Sequence, residues 1–250
     1  MELSEHAGKN RTHWDTESDS YQAAHGEQLA RNPLAWGCWS ISEDELRILG
    51  NVESKDILEF GCGAAQWSIG LTKRGARCIA LDNSQRQLDH ARRNMALAGV
   101  DFPLVHASAE SVPLPAESFD VVFCDHGAMS FADPQRTVPE AARLLRRDGL
   151  LAFSAETPLH FICWNEETDR LGNALRANYF EHRKSDDGKS VVFSLPYGKW
   201  IELFRRHGFV IEALVELRPP ENAQSTYDRY VTLEWAREWP AEQIWRVRKV

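Results

Sequence analysis

Short apolar runs alternate with segments of helical periodicity from residue 56 to the end of the chain. Such alternation is typical of a parallel sheet with helices on both faces, because a helical connection carries the chain from one strand to the next. Several runs are almost continuously apolar, as strands buried on both faces must be. The runs lie at residues 57–60, 77–82, 102–106, 119–124, 150–155, 209–213 and 243–248. The pattern therefore predicts an α/β fold built on one seven-stranded sheet.

Helices are predicted between these strands from apolar residues at helical spacing and from residues that favour helix ends. They span about residues 65–74, 84–95, 138–145 and 197–206. Asn83 or Ser84 can cap the second helix, and Gly75 and Gly208 can end the first and the last. A turn at residues 147–149 is expected before the fifth strand.

The first fifty residues lie outside this alternation. Residues 1–50 predict a helical extension with periodic segments at 21–29 and 43–49, and Ser42 can cap the second segment. We expect this extension to pack over the open edge of the sheet and to serve as a lid.

A second irregular region follows the fifth strand. Residues 158–195 predict an insertion with helical stretches, many aromatic side chains and an exposed turn at 184–189. Residues 51–250 would then form a single domain that carries this insertion, which is expected to flank the substrate.

Composition and charge narrow the possible partners. The net charge of -8 argues against binding to a phosphate backbone, which depends on lysine and arginine. No apolar run reaches the roughly 18 residues of a membrane-spanning helix, and the first residues lack the order of a signal peptide. We therefore expect a cytoplasmic monomer or homodimer with no nucleic-acid or membrane partner. The five cysteines are widely scattered, which indicates reduced thiols and no metal site.

A glycine-rich turn, Gly61-Cys62-Gly63, follows the first strand and precedes a helix. Glycines there permit a tight turn and let a ligand approach the backbone. Asp82, at the end of the next strand, follows Gly61 at the spacing that lets a carboxylate bind both hydroxyls of a ribose. Together they predict a cofactor that contains adenosine, although such a turn can be purely structural and such an aspartate can simply cap a helix.

Glu59 distinguishes between adenosine cofactors. A carboxylate two residues before the first glycine discourages the pyrophosphate of a nicotinamide cofactor, which binds at a helix N-terminus. It suits a cofactor with a cationic amino group, such as one derived from an amino acid.

Residues 56–156 resemble the core of the class I S-adenosylmethionine-dependent methyltransferases, in the motifs just described and in the strand-four segment 118–124. The resemblance implies a Rossmann-like, mostly parallel sheet of strand order 3-2-1-4-5-7-6, with strand seven antiparallel. Ala65 stands where the family most often has a third glycine, and we expect it to be tolerated because only close helix packing is at stake.

The resemblance also implies a binding site for S-adenosylmethionine and its product S-adenosylhomocysteine. Ala109 and Glu110 match the position that holds the adenine, and Tyr21 could bind the cofactor carboxylate. The full set of predicted cofactor-binding residues is Tyr21, Glu59, Gly61, Cys62, Gly63, Asp82, Asn83, Ala109, Glu110, Asp125 and His126.

Methyl transfer requires placement of the acceptor and exclusion of water, and it needs a base only if the acceptor is protonated. His126, at the carboxyl end of strand four, is the predicted catalytic base, although it could equally line the cofactor. His25 and His160 are secondary candidates, since a buried histidine is usually structural. No metal is required in principle, but Asp125 and Glu156 could ligate one.

Aromatic residues of the extension and the insertion predict an apolar or aromatic substrate pocket. The predicted substrate-binding residues are Trp36, Phe161, Trp164 and Tyr179, although each could be an ordinary packing residue.

The sequence therefore predicts a methyltransferase that acts on an O, N or C atom of a small metabolite. The alternatives are methylation of protein or RNA, a nicotinamide-dependent oxidoreductase, and a cofactor-binding protein without catalysis.

Overall fold

A seven-stranded sheet forms the centre of the computed structural model, which describes residues 3–181, 183–227 and 230–250. In chain order the strands are β1 (Asp56–Phe60), β2 (Arg77–Asp82), β3 (Leu104–His106), β4 (Phe119–Asp125), β5 (Leu145–Glu156), β6 (Phe209–Glu216) and β7 (Glu242–Lys249). They lie in the order 3-2-1-4-5-7-6. β7 is antiparallel to both β5 and β6, and the other pairs are parallel. The predicted fold class, strand order and direction of strand seven are confirmed.

Helices cover both faces of the sheet. They are α1 (Glu5–Arg31), α2 (Glu43–Leu46), α3 (Gln66–Lys73), α4 (Gln85–Ala98), α5 (Ala128–Phe131), α6 (Pro134–Leu144), α7 (Pro158–Cys163), α8 (Tyr197–Arg206) and α9 (Leu233–Glu238). α3 and α4 pack on one face, and α6 and α8 on the other. Side chains of β1 alternate between these layers, with Ile57 in the first and Leu58 in the second, as the strand pleat requires. No described helix is long and apolar enough to cross a membrane.

β5 differs from the prediction at its start. The residues predicted as a turn, 147–149, lie inside this strand, which begins at Leu145 rather than after the turn. Pairing with β4 shifts there, from Phe119 opposite Leu145 to Val121 opposite Leu150. Asp148 takes a positive φ of 62°, so the glycine-containing stretch forms an irregularity within the strand.

The insertion at 158–195 is less helical than predicted. Its described part contains the short helix α7 and two strand pairs, namely Trp164–Asn165 with Arg170–Leu171 and Lys184–Asp186 with Val191–Phe193. In the second pair, the Asp187 carboxylate accepts hydrogen bonds from the backbone N–H groups of Lys189 and Ser190 and so closes the turn. Among the described residues 164–181 and 183–195 no α-helix follows Cys163, so the prediction of further helical stretches is wrong there. At 184–193 this turn and the β-branched residues after it favour a hairpin.

The N-terminal helix is longer than predicted and lies elsewhere. α1 has 27 residues, with Ser4 as its N-cap. Its side chains and that of Ser4 bond to Asn83 and Glu110, in the loops that follow β2 and β3, and to Phe131 at the end of α5, just after β4. α1 therefore crosses the carboxyl ends of the strands, and the prediction that the extension covers the open edge of the sheet is wrong.

α2 begins with its predicted cap, Ser42, but ends at Leu46 instead of continuing to residue 49. Arg47 turns into the left-handed region at φ 52°, which ends the helix. The buried Glu43 carboxylate accepts hydrogen bonds from the backbone N–H groups of Ile48 and Leu49, which satisfies these groups outside the helix.

Candidate active site

The carboxyl ends of β1, β2, β4 and β5 meet at one edge of the sheet, where ligands bind in open α/β sheets. Because β7 runs antiparallel, its first residue lies at the same edge. Four acidic residues therefore converge there from different strands: Asp82, Asp125, Glu156 and Glu242. Glu242 was not singled out from the sequence. It could have been found from the predicted antiparallel direction of strand seven, because that direction places the first residue of the strand at this edge.

The glycine turn after β1 has little room for side chains. Gly61 and Gly63 take positive φ values of 70° and 52°. A Cβ atom added to Gly61 would overlap the backbone nitrogen of Ala128 and lie 3.0 Å from the Cα atom of Gly127. The loop after β4 thus packs directly on the turn, and this contact requires glycine at position 61 independently of any ligand.

Ala65 also departs from expectation. It is fully buried before α3 and takes a left-handed φ of 59°. A glycine at this position would ease both the helix packing and the left-handed backbone conformation. The expectation that the alanine affects only packing is therefore wrong.

Asp82 connects the turn to the start of α4. Its two carboxylate oxygens accept hydrogen bonds from the backbone N–H groups of Gly63 and Ser84, each at 2.8 Å. Burial raises the pKa of this carboxyl to about 6. A carboxylate has roughly four acceptor positions, so two bonds leave capacity for further donors such as hydroxyl groups.

Glu59 lies beneath the turn on the α3 side. Its carboxylate accepts hydrogen bonds from the Ser68 backbone N–H at 3.1 Å and the Ser68 hydroxyl at 2.5 Å. Burial raises the pKa of Glu59 to about 8, with Asp125 and Asp82 adding to the effect. The protonated form is therefore favoured near neutral pH, and a cationic ligand group beside it would favour loss of that proton.

α1 contacts two of the predicted cofactor-binding residues. Asn83 donates a hydrogen bond to the backbone carbonyl of Ala7 at 2.8 Å and accepts one from Arg11 at 2.9 Å. The buried Glu110 carboxylate contacts the imidazole of His6 and accepts a hydrogen bond from the Ser4 hydroxyl at 2.9 Å. In this structure α1 therefore covers the loops that follow β2 and β3.

The remaining predicted cofactor residues in this region are buried. Cys62 and Ala109 are 6% and 2% exposed. The Tyr21 hydroxyl lies 2.6 Å from that of Tyr227, and burial raises the pKa of Tyr21 to about 12. Tyr21, on α1, is thus paired with a residue of the segment before α9 and lies near enough to Asp125 for that carboxylate to raise its pKa further.

Asp125 is the last residue of β4, and its carboxylate accepts hydrogen bonds from several donors. One carboxylate oxygen accepts hydrogen bonds from the Gly37 N–H at 3.0 Å and the Ser154 hydroxyl at 2.5 Å, and the other accepts from the Trp67 indole at 3.3 Å. These bonds connect β4 to β5, to α3 and to the loop of a short strand pair after α1, in which Ala35–Trp36 pairs with Ile41–Ser42.

His126 lies between two carboxylates. Its Nε2 is 2.5 Å from a carboxylate oxygen of Glu242, and its Nδ1 is 3.6 Å from one of Glu156. Burial alone would lower the pKa of His126, but the two carboxylates outweigh it and raise the pKa well above its usual value. Burial opposes ionisation of Glu156, yet the neighbouring His126 imidazole lowers the pKa of that carboxyl to about 2. The imidazolium form has no lone pair, so this arrangement does not favour His126 as a base.

The predicted substrate residues do not form one group. Trp36 is fully buried, packs on Trp67 with ring centres 4.7 Å apart, and donates a hydrogen bond to Glu43, so it belongs to the core. The Tyr179 hydroxyl accepts a hydrogen bond from the backbone N–H of Tyr197 at the start of α8.

Phe161 and Trp164, in contrast, both adjoin His160. The Trp164 ring stacks on the imidazole with ring centres 5.6 Å apart, and the Phe161 ring centre lies 5.7 Å away. The structure therefore brings these two predicted substrate residues together at the end of α7.

Two cavities of about 260 and 390 Å³ open at the opposite edge, near the starts of β1 and β2. Arg147 and Asp120 line one, and Arg77 and Pro103 line the other. Neither cavity is lined by the residues at the carboxyl edge of the sheet. Within residues 3–181, 183–227 and 230–250, no group of three or more His, Cys, Asp or Glu side chains could hold a metal ion.

The central part of the chain is similar to a known protein family. Residues 58–153 match a family model described as a methyltransferase domain. The match contains the glycine turn, Asp82, Glu110 and His126.

Two curated relatives match parts of this chain. A 2-methyl-6-phytyl-1,4-hydroquinone methyltransferase of Oryza sativa subsp. japonica is 29% identical over 160 residues, which are 62% of this chain and 45% of that protein. The ubiquinone biosynthesis O-methyltransferase of Azoarcus sp. is 34% identical over 102 residues, 40% of this chain and 43% of that protein. The chain therefore spans less than half the length of either relative.

A solved structure matches more of the chain. The S-adenosylmethionine-dependent methyltransferase from Mesorhizobium loti has a TM-score of 0.67 at 22% identity, covering 82% of this chain and 96% of that one. At this identity the similarity establishes the fold.

Proposed function

We propose that this chain, whose residues 58–153 belong to the class I S-adenosylmethionine-dependent methyltransferase family, transfers a methyl group from that cofactor to a small organic acceptor. The observation that carries the proposal is the bonding of Asp82. Its two oxygens hold the glycine turn and the start of α4 at the carboxyl edge and retain capacity for ribose hydroxyls.

The residues at this edge fit the chemistry of the cofactor. Gly61 and Gly63 keep the backbone free of side chains, and Glu59 supplies an acidic group beneath the turn. Asn83 and Glu110 would contact the adenosine part after exchanging some of their bonds to α1. The bound cofactor supplies an electrophilic methyl group on a sulfonium, and the protein positions the acceptor and excludes water.

We further propose an aromatic acceptor that carries a hydroxyl group. Phe161 and Trp164 both adjoin His160, on which the carboxylates of Glu156 and Glu242 act, and flat apolar side chains favour a flat apolar ligand. The relatives named above act, by name, on a hydroquinone or in ubiquinone biosynthesis. The net charge of -8 disfavours nucleic acid as the acceptor.

α1 and the insertion would control access to this acceptor site. α1 already covers the loops after β2 and β3, and the insertion contributes α7 with its aromatic residues. We propose that α1 opens to admit the cofactor and then closes to exclude water.

Calorimetry with S-adenosylhomocysteine tests the proposed site through Asp82→Ala. We expect affinity to fall by about 1.5–3 kcal/mol, roughly 10- to 150-fold, because charge-assisted hydrogen bonds to the ribose are lost. The exposed Asp101 offers a matched control, since Asp101→Ala removes the same group far from the turn.

Because Asp82 also supports the turn, circular dichroism must show that the variant is folded, and Asp82→Asn provides a milder change. A folded Asp82 variant with the wild-type affinity would refute the ribose assignment. Failure of the wild-type chain to bind S-adenosylhomocysteine would refute the proposed function itself.

A further inference from the structure

His160 lies on α7, four residues beyond Glu156 and just past the carboxyl end of β5. Its backbone N–H donates a hydrogen bond to the Thr157 hydroxyl at 3.1 Å, which fixes the first turn of the helix. The side chain is thus held by a short, capped helix next to the acidic edge of the sheet.

The ring nitrogen Nδ1 of His160 is buried and unpaired. In the part of the chain that the structure describes, no atom meets hydrogen-bond geometry with it, although the backbone of Ala241 lies close enough to the imidazole to raise its pKa. A buried polar atom without a partner is unfavourable, so its retention calls for an explanation. A ligand group that donates a hydrogen bond to Nδ1 would supply one.

The surroundings of His160 and His126 shift the pKa of the two imidazoles in opposite directions. Carboxylates face both nitrogens of His126, whereas aromatic rings flank His160. The charged groups that act on His160 are Glu156 on β5, Glu242 on β7 and His126 after β4. Burial outweighs the two carboxylates and lowers the pKa of His160 below its usual value. His160 is therefore a neutral imidazole with a lone pair near neutral pH, which is the form a base requires.

The stacked Trp164 ring indicates how an aromatic acceptor would lie relative to the imidazole. It lies nearly parallel to the imidazole, with an interplanar angle of 9°, and Phe161 flanks the same ring. An aromatic acceptor beside these rings would bring a ring hydroxyl into the plane of the imidazole, where a hydrogen bond to nitrogen forms.

We propose that His160 accepts the hydroxyl proton of an aromatic acceptor during methyl transfer. This role rests on the proposed function. The acceptor oxygen forms a bond to the methyl carbon while the bond between that carbon and sulfur breaks. The electron pair of the broken bond stays on sulfur, which turns the positively charged sulfonium into a neutral thioether. The hydroxyl proton passes to Nδ1, and the imidazolium later releases it to water.

The test compares His160→Gln with His207→Gln in the full chain. His207 lies at the end of α8, outside the site, and undergoes the same chemical change. The probes are catechol and 2-methyl-1,4-hydroquinone, kept reduced, with S-adenosylmethionine as donor and S-adenosylhomocysteine release as the readout. We expect kcat of His160→Gln to fall by about 10²-fold or more, because a positioned base contributes that much. His207→Gln should retain wild-type turnover.

The pH profile separates a base from a structural residue. The wild-type rate should fall as pH drops below the lowered pKa of His160, because protonation removes the lone pair. His160→Gln should lack this decline while keeping wild-type affinity for S-adenosylhomocysteine. A variant that keeps both the rate and the decline would overturn the role of His160.

NMR gives a readout that does not depend on turnover. The imidazole resonance that disappears in His160→Gln should titrate below the usual histidine range and should shift when catechol binds with S-adenosylhomocysteine. The absence of a shift, or of methylation of either probe, while S-adenosylhomocysteine binds would refute this inference but not the proposed function. If S-adenosylhomocysteine does not bind, both fail.

Discussion

Gly61 shows how one residue can satisfy two requirements. Its φ of 70° favours glycine, and its missing side chain lets the loop after β4 pack against the turn. The sequence indicated the first requirement through the glycine-rich pattern. It could not indicate the second, because Gly127 and Ala128 belong to the segment after β4, more than sixty residues later.

Gly61→Ala should destabilise the protein by about 2–5 kcal/mol, from a left-handed alanine together with overpacking against the loop. Gly50→Ala is the matched control, because Gly50 has nearly the same φ of 71° but no atom within 4 Å of an added Cβ. It should cost only about 1–2 kcal/mol. Urea unfolding measures both variants. Equal losses would mean that the close approach of the two loops contributes nothing to stability.

Residues of the site were predictable where local sequence determines their position. Asp82 could be identified because a strand end and a glycine turn lie at a fixed spacing from each other. The environment of His126 could not, because Glu156 and Glu242 reach it from 30 and 116 residues further along the chain. The proposed role of base therefore moves from His126 to His160 on structural grounds.

At the scale of elements, α1 is the main departure from the sequence prediction. It contacts the molecule mostly through polar side chains, so it lacks the apolar stripe that identifies a surface helix. Asn10 is an example: it is 2% exposed and bonds to the backbone of both Phe131 and Val191. Strands of the central sheet were easier to predict because burial on both faces makes their sequences almost wholly apolar.

Asn10→Ala should release α1 from α5 and from the hairpin at 184–193. It removes three hydrogen bonds and leaves buried backbone groups unpaired, which should cost about 3 kcal/mol. Hydrogen exchange across α1 should rise accordingly. The control is Thr16→Ala on the same helix, because Thr16 is exposed and bonds only to the backbone of Thr12 among the described contacts. Unchanged exchange in Asn10→Ala would show that α1 is held by other contacts.

At the scale of the whole molecule, the strand order determines where the candidate site lies. The order 3-2-1-4-5-7-6 brings the glycine turn, Asp82 and the His126 cluster to a single edge. Alternation of strands and helices predicted this arrangement once the family resemblance supplied the order. The insertion at 158–195 was harder to predict, since its short strands and helix pack on the domain and show no regular pattern.

The central claim is that this edge binds S-adenosylmethionine. Calorimetry of the full wild-type chain with S-adenosylhomocysteine, and separately with NAD, tests it most directly. The account predicts that one S-adenosylhomocysteine binds per chain and that NAD does not bind, because the carboxylates of Asp82, Glu156 and Glu242 at this edge oppose the negative charge of a pyrophosphate. Binding of NAD without binding of S-adenosylhomocysteine would contradict it.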